Sequence, residues 1–157
     1  MERQAGNGKD NEKNYKGKEK IQDKRSEILM YCLDTDVIVD FLRGKHATAE
    51  KIKKISSALT TTCLNVCELY KGAYLSKMPE NEKAIIDEFL KKINILNFDN
   101  KSCDLYGRNF ALLRGRGRPT QELDLLIACM CISNNQILVT GNKKHFSNIP
   151  DLKLDEW

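Results

Sequence analysis

The chain begins with a long polar stretch and switches near Ile28 to short apolar runs that alternate with helix-spaced patterns. Residues 1–27 are rich in Lys, Glu, Asp, Asn, Gly and Gln, too poor in apolar surface to offset the entropy of ordering, so they are expected to be a disordered extension. Met30 stands directly before the first motif, which offers a second reading with the native start there. Ile28–Leu33 is a nearly continuous apolar run, the pattern of a central parallel strand covered on both faces. Asp36–Arg43 follows at helical spacing, with Thr35 placed to cap it and Gly44 to end it. Ala47–Ile55 is a second helical stretch, and the short β-branched Ala58–Thr62 predicts a strand. Val66–Leu75 and Glu80–Ile93 read as amphipathic helices, followed by a strand at Ile95–Phe98. Asp99 or Asn100 can cap a helix running to about Leu113, and the Gly- and Pro-containing run from Arg114 to Pro119 reads as a loop. Thr120 begins a strongly apolar helix, Leu123–Ile132, and strands at Gln136–Thr140 and Leu152–Leu154 complete the series. Such alternation predicts an α/β protein with a parallel sheet and helices on both faces, folded as one domain over residues 28–157.

Composition changes this picture little. The 157 residues suffice for one domain with a proper core. No apolar run approaches the ~18–20 residues that span a bilayer, and the charged N-terminus does not resemble a signal peptide, so a cytoplasmic protein with no membrane partner is expected. Of the six cysteines, Cys32, Cys129 and Cys131 lie in apolar segments, where a reduced thiol packs as a small hydrophobe. Cys63-x-x-x-Cys67 and Cys129-x-Cys131 lack the paired spacing of zinc sites, and the chain has only two histidines to complete one. The net charge of +4 is too small to indicate a partner; where the basic residues cluster matters more.

The chemistry concentrates in acids at the ends of apolar elements. Asp34 closes the first strand, and in an open α/β sheet the carboxyl end of a strand is where ligands bind. Glu68, Asp124 and Asn142 recur at similar places, so the four could converge. Carboxylates packed together repel unless a cation neutralises them or one keeps its proton. Mg²⁺ suits such a site because it takes oxygen ligands, retains waters and needs only one or two direct carboxylates; Mn²⁺ could replace it. Asp36 faces elsewhere once the helix starts and is assigned a capping or supporting role. A Glu near a helix start is also explained by the helix dipole, and an Asn after a Gly by a turn. Asp124, flanked by residues that will be buried, is harder to explain without a partner. Arg114, Arg116 and Arg118 precede Asp124, and Lys143 and Lys144 follow Asn142, giving flexible cationic segments able to track a phosphate backbone.

Asp34-x-Asp36-Val37 also resembles the nucleophile motif of haloacid-dehalogenase-type phosphatases, but the late acid pair of that superfamily is missing and Glu68 and Asp124 would have no role. A different set of blocks runs through the chain. Leu33-Asp34-Thr35-Asp36-Val37-Ile38-Val39-Asp40, Glu68-Leu69-x-x-Gly72-Ala73, Asp124-Leu125-Leu126-Ile127-Ala128 and Leu138-Val139-Thr140-Gly141-Asn142-x-x-His145-Phe146 occur in order, before the closing Pro150-x-Leu152-x-Leu154-x-x-Trp157. In order and spacing they resemble the PIN-domain family, and more narrowly the VapC toxins of type II toxin–antitoxin systems, over residues 30–157. The resemblance implies a PIN-like three-layer α/β/α fold with a central, mostly parallel sheet of four to five strands. It also implies a Mg²⁺- or Mn²⁺-dependent ribonuclease acting on RNA, usually a homodimer, silenced by a VapB-like antitoxin whose tail enters the active-site groove. By position Asp34 and Asp124 match the metal-binding acids and Glu68 the third acid, while Asn142 stands at the fourth acidic position and Asp36 where many members carry Asn. In the mechanism so implied, Glu68 orients or deprotonates water, and Thr140 and Asn142 steady the acids or the water. The five basic residues supply backbone affinity. A PIN-fold processing nuclease that is not a toxin and a catalytically silent RNA- or partner-binding module remain the alternatives.

Overall fold

The computed structural model describes residues 30–55, 59–118 and 120–157. The expectations for residues 1–27, for Ile28 and Leu29 and for Ala58 lie outside the described residues.

Strand β1 (Tyr31–Leu33) is the centre of the sheet, pairing in parallel with β2 (Leu59–Thr62) on one side and β4 (Ile137–Thr140) on the other. Strand β3 (Asn94–Leu96) adds in parallel to β2 and β5 (Lys153–Glu156) to β4, giving five strands in the order β3-β2-β1-β4-β5. The period of two along each strand divides the core. Leu33 and Val139 face a cluster with Val37, Ile38, Leu69, Ala73, Ile86 and Phe89, whereas Cys32 and Leu138 face one with Leu113, Leu125, Ala128 and Phe146. The first layer is built by α1 (Thr35–Leu42), α3 (Cys63–Tyr74) and α4 (Pro79–Leu90), and the second by α5 (Asn100–Gly115), α6 (Glu122–Ser133) and α7 (Lys143–Phe146). Helix α2 (His46–Lys54) packs beside α1. This is the three-layer α/β/α architecture, and among the described residues no helix is long and apolar enough to cross a membrane.

Several boundaries differ from the sequence reading, each for a local reason. Asp34, not Thr35, caps α1, because its carboxylate accepts the Thr35 N–H. Helix α3 starts at Cys63, ahead of Val66, since Thr62 and Asn65 close a reciprocal capping box. Arg114 and Gly115 belong to α5, and the turn begins only at Arg116 and Gly117, the latter at φ +63°. The short helix α7 after Asn142 carries too few residues to show a period.

Because β1 and β4 are adjacent and parallel, their carboxyl ends lie side by side. The Asp34 N–H donates to Val139 O at 2.9 Å, extending the ladder by one rung and setting the Asp34 side chain beside Thr140.

Candidate active site

Asp34 is buried at 8% exposure, and its carboxylate is gripped from two sides. Thr35 N (2.9 Å) and Asn65 Nδ2 (2.8 Å) donate to Oδ1, and Thr140 Oγ1 (2.8 Å) donates to Oδ2. These donors favour the anion, but burial outweighs them and raises the pKa from 3.8 to about 6, with Asp36 and Glu68 adding repulsion. Thr140 Oγ1 in turn accepts the Asn142 N–H at 3.0 Å, so the start of the β4–α7 loop is tied to the same oxygen.

Glu68 lies in the second turn of α3, which has no acid in its first turn, so the helix dipole does not account for it. Its Oε2 accepts a hydrogen bond from Thr35 Oγ1 at 2.7 Å. Asp124 comes from the first turn of α6. Its Oδ2 is closed off from solvent without a hydrogen-bond partner, and His145 Nδ1 lies 3.2 Å away, an ion pair when the imidazole is protonated. Burial raises the Asp124 pKa, His145 opposes that rise, and Glu68 reinforces it. Glu68 thus adds repulsion to both Asp34 and Asp124, which places acids from the end of β1, from α3 and from α6 in one electrostatic field.

The remaining residues singled out in the sequence divide. Asp36 is engaged by backbone, although its charge still repels Asp34: its Oδ1 accepts the Val37 N–H (2.7 Å) and its Oδ2 the Gly141 N–H (3.0 Å), latching α1 to the loop after β4. A Cβ on Gly141 would lie 3.0 Å from Asp36 Oδ2, so the close approach accounts for the glycine. The Asn142 side chain lies against His145, with Nδ2 3.2 and 3.1 Å from the two ring nitrogens, and only its backbone N–H serves the buried network. Arg114, Arg116 and Arg118 are exposed at the end of α5 and in the turn leading to α6; Lys143 and Lys144 are exposed at the start of α7.

Three residues were not assigned to this site by the sequence reading: Thr35, taken as a helix cap, His145, taken with the basic run after Asn142, and Asn65. Thr35 and Asn65 act through hydrogen-bond direction, which no apolar period reveals, although Thr62-x-x-Asn65 has the spacing of a capping box. His145 follows Asn142 by one helical turn.

The donor set consists of oxygens, which suits a hard divalent cation. Among the described residues no group of three or more His, Cys, Asp and Glu side chains is gathered closely enough to hold a metal ion by itself, so a cation here would rest on one or two carboxylates and waters, as Mg²⁺ does. The buried Asp124 oxygen without a partner is the feature such a cation would satisfy.

Residues 31–152 match the family described as PIN domain. Ribonuclease VapC1 of Haemophilus influenzae (strain R2866) is 31% identical over 132 residues, covering 82% of this chain and 98% of the relative. The tRNA(fMet)-specific endonuclease VapC of Shigella flexneri is 29% identical over 131 residues, covering 83% of this chain and 99% of the relative. Among solved structures, VapBC2 from Rickettsia felis bound to a DNA fragment from their promoter superposes with a TM-score of 0.78 at 29% identity, over 82% of this chain and 99% of that one. With the fold, the order of the blocks and the family match over residues 31–152 in agreement, the chain belongs to the PIN-domain family and, within it, to the VapC ribonucleases.

Proposed function

We propose that this protein is a metal-dependent endoribonuclease that hydrolyses RNA phosphodiester bonds as the toxin of a VapBC-type toxin–antitoxin pair. The observation that carries the reading is a buried Asp124 oxygen without a hydrogen-bond partner, beside a Glu68 whose charge repels both Asp124 and the buried Asp34. Close, part-buried carboxylates weaken the fold unless something positive joins them, and an RNA-cutting site supplies a reason to keep them.

Asp34 and Asp124 would hold Mg²⁺ or Mn²⁺, with Glu68 as the third acid. When bound, the cation supplies Lewis-acid polarisation of the scissile phosphate and acidifies water near neutral pH. Asp34 Oδ1 already has two donors and Oδ2 only one, so Oδ2 keeps lone-pair capacity for a ligand. Thr140 fixes that oxygen, and Asn142 steadies Thr140 through its backbone N–H. Glu68 has one oxygen occupied by Thr35 and the other available to orient or deprotonate the attacking water. Arg114, Arg116, Arg118, Lys143 and Lys144 hold the RNA backbone without reading its sequence.

A VapB-like antitoxin has a place to dock. A cleft of about 410 Å³, lined by Thr35, Glu68, Leu42 and Ile85 among others, leads away from the acids between α1, α3 and α4. It shares Leu42 and Ile85 with an apolar cleft of about 500 Å³ that also touches Phe41, Ile52 and Phe89. A segment lying across both would cover Glu68 and silence the enzyme.

The test is RNA cleavage by antitoxin-free protein with Mg²⁺, Mn²⁺ or EDTA, beside Asp34→Ala and Asp124→Ala. Metal-dependent cutting that both substitutions abolish is the expected result. Folded wild type as inert as the variants on varied RNAs would overturn the reading and favour a binding module.

A further inference from the structure

Asn65 is completely buried beneath the acids, and every polar atom of its side chain is engaged. Its Oδ1 accepts from Thr62 Oγ1 (2.5 Å) and more weakly from Thr62 N (3.4 Å). Its Nδ2 donates to Asp34 Oδ1 (2.8 Å) and to Thr35 Oγ1 (3.0 Å). These bonds have a forced direction. An amide nitrogen only donates, so Thr35 Oγ1 must accept from Asn65, and the one hydroxyl proton of Thr35 is left for Glu68 Oε2, 2.7 Å away. A polarised chain therefore runs from Thr62 through Asn65 and splits, one branch ending on Asp34 and the other on Glu68.

We propose that Asn65 is a positioning residue for the nuclease: one buried amide sets the carboxylate of Asp34 directly and that of Glu68 through Thr35, keeping two acids from different elements in fixed relative orientation. The proposal rests on the nuclease reading for its kinetic consequence, but its effect on the carboxylates is open to measurement without RNA. Part of the α3 cap is independent of this side chain: the Asn65 backbone N–H donates to Thr62 Oγ1 at 3.1 Å, while the longer reciprocal bond from Thr62 N–H to Asn65 Oδ1 (3.4 Å) uses only the amide oxygen. Cap formation alone leaves unexplained why the amide reaches out to Asp34 and Thr35.

Three substitutions separate the branches. Asn65→Leu removes both donors on the same branched skeleton, though with bulkier methyl groups, Asn65→Thr keeps one hydroxyl donor, and Thr35→Val cuts only the branch to Glu68. Thermal melts establish folding, and Mn²⁺ affinity is measured by calorimetry without RNA. The kcat and KM values are taken on a single-stranded RNA that the wild type cleaves. Loss of supports of this kind lowers metal affinity or activity by about 10- to 100-fold, so Asn65→Leu is expected to weaken Mn²⁺ binding and reduce kcat by at least about tenfold, with KM little changed. Asn65→Thr should fall between Leu and wild type, a partial rescue that tracks the number of donors. Because Thr35→Val and Asn65→Thr interrupt a shared branch, the double variant should lose less than the product of the single losses. Should Asn65→Leu not fold, Asn65→Thr and Thr35→Val carry the test. Folded variants that bind Mn²⁺ like wild type, or losses that multiply in the double variant, would overturn the proposal. A wild type that cuts no RNA refutes the nuclease reading instead, while the Mn²⁺ titrations still decide for or against Asn65.

Discussion

Burial of Asp34 opposes its ionisation more strongly than its three donors favour it, which is why its pKa stands at about 6 and not 3.8. The sign of the consequence follows from proton linkage. Between those two values the folded chain keeps a proton that the unfolded chain has released, so stability is greatest below pH 4 for this group and declines as pH rises to about 6. The shift corresponds to roughly 3 kcal/mol at full effect. Asp36 and Asp124, also raised by burial, slope the same way. Urea unfolding of metal-free protein should therefore show lower stability at pH 7.5 than at pH 5. Asp34→Asn should flatten that slope and gain about 1–3 kcal/mol at pH 7.5 while abolishing cleavage. A variant less stable than wild type at pH 7.5 would show that the anion is held favourably after all. The acids themselves were legible in the chain, since an ionisable residue embedded in apolar sequence needs a reason to be there. Asn65 was not, because a single buried amide among threonines looks like any polar residue, and its importance lies in the direction of two hydrogen bonds.

At the scale of elements, the start of α3 decides where Glu68 points. The Thr62–Asn65 capping box begins the helix at Cys63 and moves Glu68 from an expected first turn to the second. Thr62 is fully buried, and its hydroxyl both accepts from Asn65 N and donates to Asn65 Oδ1. Thr62→Ala should cost about 1–2 kcal/mol in urea unfolding, with Thr62→Ser retaining most of the stability. Equal stability of the Ala variant would show that the box does not hold the helix start. Apolar patterns located the central strands β1 and β4 and the longer helices, because they report the buried faces that hold the layers together, whereas β2 was marked by β-branched residues. Helix ends were less legible. Arg114 and Gly115 extend α5 where glycine suggested a loop, and α7 is too short for any period. Both helices pack against α6, a tertiary contact that sequence spacing does not encode.

Across the whole molecule, the acid cluster sits where the two cores meet. Asp34 follows the strand between them, Glu68 belongs to the layer with α1 and α4, and Asp124 to the layer with α5 and α7. A cation shared by Asp34 and Asp124 would therefore join the sheet edge to the second layer, and it would bind the folded chain only, since unfolding scatters the acids. Linkage then makes stability rise with metal concentration, by about 2.7 kcal/mol when the free ion reaches 100 times its dissociation constant. The gain should be regional as well as global. Amide exchange by mass spectrometry should slow on adding Mg²⁺ in the first turn of α6 and in α7, where the Asp124–His145 contact lies, and remain unchanged in β3 at the far sheet edge. Asp124→Ala should remove the thermal gain and the local protection together, because it deletes the buried oxygen left without a partner. Protection spread evenly over all five strands, or a full thermal gain retained by Asp124→Ala, would mean that the ion binds elsewhere on this surface and that the convergence of the three acids serves the fold rather than the chemistry.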